Sequence, residues 1–130
     1  MPGFALSAIS GWVLALLLAV TSVLPWLRSS VGLRVHFALA YAIVPMCVAH
    51  GWPAMGQSWA RRLDQTGLYL ATFAFVLAIA QVALGWSVRD AAPPRRRALR
   101  RIHLIAMIGI AALSIGHIAS NSAVFSWIRS

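Results

Sequence analysis

Four histidines are the residues of this chain best suited to bind something, and they are regularly spaced. His36 and His50 lie at the two ends of the run VHFALAYAIVPMCVAH, residues 35–50. His103 and His117 repeat the separation in IHLIAMIGIAALSIGH, residues 102–117. These four are all the histidines of the chain. A neutral imidazole offers one nitrogen lone pair, so each histidine is a candidate metal ligand. Fourteen residues of helix put the two imidazoles of a run ~21 Å apart along the axis. Fourteen is also two heptads, so at about 3.5 residues per turn both rings point the same way.

The surroundings of these runs identify their solvent. Hydrophobic residues make up 61% of the 130 residues and charged residues 10%. A soluble domain of this size could not hide that much apolar surface, so the long uncharged runs point to lipid. Four segments are long enough to span, at about 4–27, 31–52, 66–88 and 98–127. Each is expected to be helical, because an isolated segment in lipid must satisfy its own backbone. The fold class expected is all-α: an integral-membrane, up-and-down four-helix bundle forming a single domain. Trp26, Trp52, Trp86 and Trp127 fall near segment ends, as in an aromatic belt. The first segment lacks the basic start and small-residue cleavage site of a signal peptide, and is expected to be retained.

The net charge of +9 comes from 11 arginines against Asp64 and Asp90. The arginines sit between apolar runs, which argues for topology and anion contacts and against nucleic acid as the partner. Arg28, Arg34, Arg89, Arg95, Arg96, Arg97, Arg100 and Arg101 flank the first and third connections. Arg61, Arg62 and Arg129 lie on the other side. The excess of positive charge puts the first group in the cytoplasm and both termini outside it. The single Cys47 forms no internal disulfide, and the absence of C-x-x-C-H excludes covalently attached c-type haem.

In an up-down bundle the second and fourth helices run parallel across the core. Their histidines then share two levels, His36 with His103 and His50 with His117. Each level offers two imidazole nitrogens across an axis, which is what an iron at the centre of a planar macrocycle needs. Zinc would want three or four ligands at one level, and no cysteine or carboxylate stands beside either pair. Zinc, copper and a proton relay are the alternatives to haem.

Two H-x13-H helices in a four-helix membrane bundle resemble the di-haem core of the cytochrome b family and of ferric-reductase-like transmembrane domains. That resemblance implies two haem b groups, one toward each membrane face. It implies His36 and His103 as ligands of the cytoplasmic-side haem, and His50 and His117 as ligands of the outer-side haem. Arg34, Arg100 and Arg101 are then candidate propionate contacts on the cytoplasmic side, and Arg61 and Arg62 on the outer side. The third segment supplies small residues, Gly67, Ala71, Ala74, Ala78 and Gly85, with Ala71 and Gly85 fourteen apart and able to make room for each macrocycle. Ordinary small-residue helix packing explains them as well.

The function expected is electron transfer across a bacterial inner membrane. The chain has no flavin, nicotinamide or iron–sulfur motif, so donor and acceptor lie elsewhere. The partners expected are membrane lipid, a quinone, and a dehydrogenase or c-type cytochrome subunit, with Trp52, Trp59, Arg61 and Arg62 as an outer docking surface. The alternative is a stand-alone superoxide oxidase or small ferric reductase, and a third reading is a non-redox transporter, metal carrier or assembly factor. Asp64 is read as the helix N-cap of the third segment rather than a proton acceptor. Thr72 and Gln81 are polar within that segment and either touch a macrocycle edge or bond to the backbone.

Overall fold

A computed structural model describes residues 2–27, 29–52 and 65–121. Arg28, Trp59, Arg61, Arg62, Asp64, Trp127 and Arg129 lie outside the described residues. The described elements are all helical: α1 (Pro2–Val23), a 3-10 turn (Leu24–Leu27), α2 (Ser30–Gly51), α3 (Gln65–Asp90) and α4 (Pro93–Asn121). All four helices are long and apolar enough to cross a membrane. The chain forms two compact units, residues 1–62 and 63–130.

The first unit is an antiparallel hairpin of α1 and α2. Its turn is built by local chemistry. Ser29, with extended φ and ψ of −105° and 147°, caps α2 by accepting the Gly32 amide at 2.8 Å on its hydroxyl. Gly32 fits closely there. An added Cβ would meet Ser29 Oγ at 2.8 Å and the Leu24 carbonyl oxygen at 3.1 Å. α2 continues through Pro45, which lies on an exposed face and removes one backbone donor from the helix.

The second unit is an antiparallel hairpin of α3 and α4, joined by only Ala91 and Ala92. α4 begins at Pro93, not near residue 98 as the sequence suggests. Proline is suited to the first helical turn, where its missing N–H would have no intrahelical partner and its φ is already helical. Arg96 then closes the connection. Its amide donates to the Ala92 carbonyl at 2.9 Å and its Nε to the Ala91 carbonyl at 3.0 Å.

The packing is inside-out relative to a soluble protein. Among the described residues the buried apolar side chains are Ile43, Ala78 and Ile110. Large ones such as Trp12, Leu16, Phe73, Ile105 and Ile115 are more than 60% exposed. In water such surface would aggregate, whereas in lipid it is the solvated face. The face of α3 turned to α4 carries Gly67, Ala71, Ala74, Ala78, Gln81, Gly85 and Val88, all buried or half-buried at alternating spacings of four and three. Small residues there let the helix backbones approach closely.

Candidate functional site

All four histidines are half-buried and lie on the faces of α2 and α4 that pack within their own hairpins. On α2 the face reads His36, Leu39, Ile43, Met46, His50, and on α4 His103, Ala106, Ile110, Leu113, His117. Both alternate by three and four, so the heptad register expected from the fourteen-residue spacing describes both helices. Each helix also places a buried isoleucine midway, Ile43 and Ile110. This extends the repeat to R-x-H-x6-I-x6-H, starting at Arg34 and at Arg101.

In the first hairpin, His36 Nδ1 lies 2.8 Å from the Thr21 carbonyl oxygen. Thr21 is in the last turn of α1, where carbonyls have no intrahelical donor, so an imidazole can serve it. A carbonyl only accepts, so Nδ1 carries the proton and donates, and Nε2 is the basic nitrogen. His50, toward the other end of α2, has its Nδ1 3.1 Å from Ser10 Oγ. A hydroxyl can donate or accept, so this bond aims the ring without fixing its tautomer. The ring lies over Gly11, where an added Cβ would come within 3.0 Å of His50 Cε1.

The second hairpin repeats the two kinds of seat. His117 Nδ1 donates to the Gly67 carbonyl oxygen at 2.8 Å, again making Nε2 the basic nitrogen. His103 lies beside Gly85, whose added Cβ would be 3.7 Å from His103 Cε1, an ordinary contact. Gln81 Nε2 donates to the His103 backbone carbonyl at 2.8 Å. Each hairpin therefore holds one histidine anchored by a backbone carbonyl and one packed against a glycine of the facing helix. An Nδ1–H bonded to a carbonyl is how proteins orient a metal-ligating imidazole and raise its basicity.

The other residues singled out from the sequence divide. Gly85 lies beside His103 and the Gly67 carbonyl meets His117, while Ala71 is half-buried on the same face of α3. Thr72 is exposed and its hydroxyl donates to the Leu68 carbonyl at 2.9 Å, so it bonds to the backbone. Arg34, Arg100 and Arg101 are exposed. At about 100° per residue, Arg100 lies about 60° from His103 around α4, and Arg101 about 160° away. Arg34 stands in the same relation to His36 as Arg101 does to His103. Arg61 and Arg62 lie outside the described residues. Among the described residues no three of His, Cys, Asp and Glu come together as a metal-binding group.

Ser10, Gly11 and Thr21, all on α1, were not evident from the sequence. The Thr21 anchor is a backbone carbonyl, which leaves no side-chain signature. The isoleucine midway between each histidine pair was missed as well, although the shared R-x-H-x6-I-x6-H spacing carries it. Comparison with protein-family models, curated proteins and solved structures gives no match for this chain.

Proposed function

We propose that this chain carries electrons across a bacterial inner membrane through two bis-histidine b-type haems, as the membrane subunit of a respiratory or redox complex. The observation that carries the reading is the matched pair of carbonyl-anchored imidazoles, His36 on Thr21 and His117 on Gly67. Both anchors make Nε2 the ligating nitrogen, and among the described residues no three His, Cys, Asp or Glu side chains gather as zinc would need. The four imidazoles, two per helix and two heptads apart, are the donor set that two bis-histidine haems would take, and the two levels lie too far apart to share one metal ion.

In this proposal the two hairpins form an up-and-down four-helix bundle. His36 and His103 hold the cytoplasmic-side haem, and His50 and His117 the outer-side haem. A b-type haem held by two imidazoles supplies a one-electron carrier. The chain's own part is to aim the rings and keep the surroundings apolar. Ser10 and the two carbonyls aim three of the imidazoles. Gly11 and Gly85 leave room for the rings of His50 and His103. Arg100, on the His103 side of α4, is the propionate contact best placed on the cytoplasmic side, with Arg34 and Arg101 turned further away. A membrane quinone, and a dehydrogenase or c-type cytochrome at one surface, are the electron partners. Both termini are periplasmic.

The test is a reduced-minus-oxidised visible spectrum of the purified chain, with haem quantified against protein. Sharp low-spin b-type bands at about two haems per chain are expected. His50→Ala and His117→Ala should each remove one of them. A folded chain without haem, made in cells supplied with haem, would overturn the proposal.

A further inference from the structure

α4 is longer than a bilayer requires, and its charge is confined to one end. It has 29 residues, about 43 Å of helix, where the hydrocarbon core needs about 20 residues. Its first nine residues, Pro93 to Arg101, hold all five of its arginines, and the 20 that follow hold none. The apolar part therefore matches the membrane, and the arginine-bearing turns stand at the headgroup layer.

These arginines do not all face one way. Arg96 is tied to the α3–α4 connection. Arg95 falls on a different side of the helix from Arg97 and Arg101, which are one turn apart and exposed, with Cβ atoms about 6 Å apart. The face they share is turned away from α3. Directly below them on that face run Leu104, Ile105, Ile108 and Ile115, all exposed. A basic pair thus heads a continuous apolar stripe. Two cations at i and i+4 repel each other. They also sit at the helix N-terminus, where the backbone dipole disfavours cations and favours an anion. The first turn of α4 has no acidic residue, and Asp90, the acid among the described residues, lies 3.8 Å from Arg89.

We propose that Arg97 and Arg101 bind the phosphate of one anionic phospholipid, whose acyl chains lie along Leu104, Ile105 and Ile108. The anion relieves the repulsion between the two guanidinium groups, which grip phosphate oxygens in forked fashion. The apolar stripe selects a phospholipid over an acidic protein, because a protein partner would leave that stripe unmatched. The inference rests on α4 spanning a membrane and is independent of haem.

The experiment is native mass spectrometry of the full-length chain in detergent, with phosphatidylglycerol or phosphatidylcholine added. Wild type should retain on the order of one phosphatidylglycerol in preference to phosphatidylcholine. The double variant Arg97→Gln, Arg101→Gln should lose phosphatidylglycerol affinity on the order of tenfold, a scale of about 1.4 kcal/mol. Arg95→Gln should leave it unchanged. Circular dichroism establishes that each variant is helical. If the double variant does not fold, Arg97→Gln and Arg101→Gln are measured singly, each with a loss of about threefold or more expected. Retention of phosphatidylglycerol by the folded arginine variants, or an equal loss in Arg95→Gln, overturns the site. Displacement of the lipid by inorganic phosphate at equal concentration overturns the choice of a lipid.

Discussion

His50 rests on Gly11 with almost no slack, while His103 rests on Gly85 with a normal gap, so the two glycines predict opposite outcomes. Gly11→Ala would bring a methyl group within 3.0 Å of His50 Cε1, and the ring must move. Gly85→Ala would bring one to 3.7 Å of His103 Cε1, which needs no movement. Alanine also favours helix over glycine by about 0.8–1.0 kcal/mol. If the proposed haems are bound, Gly11→Ala should broaden or remove the signal of the His50 haem. Gly85→Ala should keep both haems and raise the unfolding temperature slightly. Visible and electron paramagnetic resonance spectra of the two variants check this. Equal behaviour would mean that the contact at Gly11 does not position His50. Ser10→Ala is milder. It removes the bond to His50 Nδ1 and leaves space, so the haem should be retained with a shifted midpoint potential, read by redox titration. An unchanged potential would leave Ser10 with no part in tuning the ligand.

At the scale of the helices, the turn between α1 and α2 sets the register that carries the Thr21 carbonyl to His36. Ser29→Ala removes the cap on the Gly32 amide and should cost about 1 kcal/mol. Gly32→Ala should cost more, about 1–3 kcal/mol, because its methyl group meets the Leu24 backbone carbonyl, which cannot swing aside as a side chain can. Thermal unfolding in detergent compares the two, and a smaller effect for Gly32→Ala would show that the turn has room to relax. Much of this level was legible in the sequence. The apolar lengths give four helices, and the fourteen-residue spacing gives the heptad face on which Ile43 and Ile110 are buried. The start of α4 was not, because Pro93–Pro94 reads as a break when proline is equally suited to begin a helix. The contribution of α1 was hidden for a different reason. Its anchor for His36 is a main-chain oxygen, and any residue at position 21 would present one.

Over the whole molecule the sorting of arginine is the basis of the proposed direction. Of the 11, eight flank the α1–α2 and α3–α4 connections, which the positive-inside rule assigns to the cytoplasm. Five of those eight lie in the first nine residues of α4. The proposal therefore puts the two short connections on one side of the membrane and the end of α2 at Trp52 on the other. Site-directed labelling tests this in a Cys47→Ala background, because Cys47 is the chain's single cysteine. Ser30→Cys and Ala92→Cys, both at exposed positions by the connections, should react with a membrane-impermeant maleimide only in inside-out vesicles. Trp52→Cys should react only in intact spheroplasts. The reverse pattern would keep the helices but exchange the faces, making His36 and His103 the outer pair. It would also put Arg97 and Arg101 in the outer leaflet, where an anionic lipid must be present for the proposed site to be filled. Labelling of Ser30→Cys and Ala92→Cys from opposite faces would contradict an even number of crossings between them, and with it the reading of both hairpins as pairs of membrane spans.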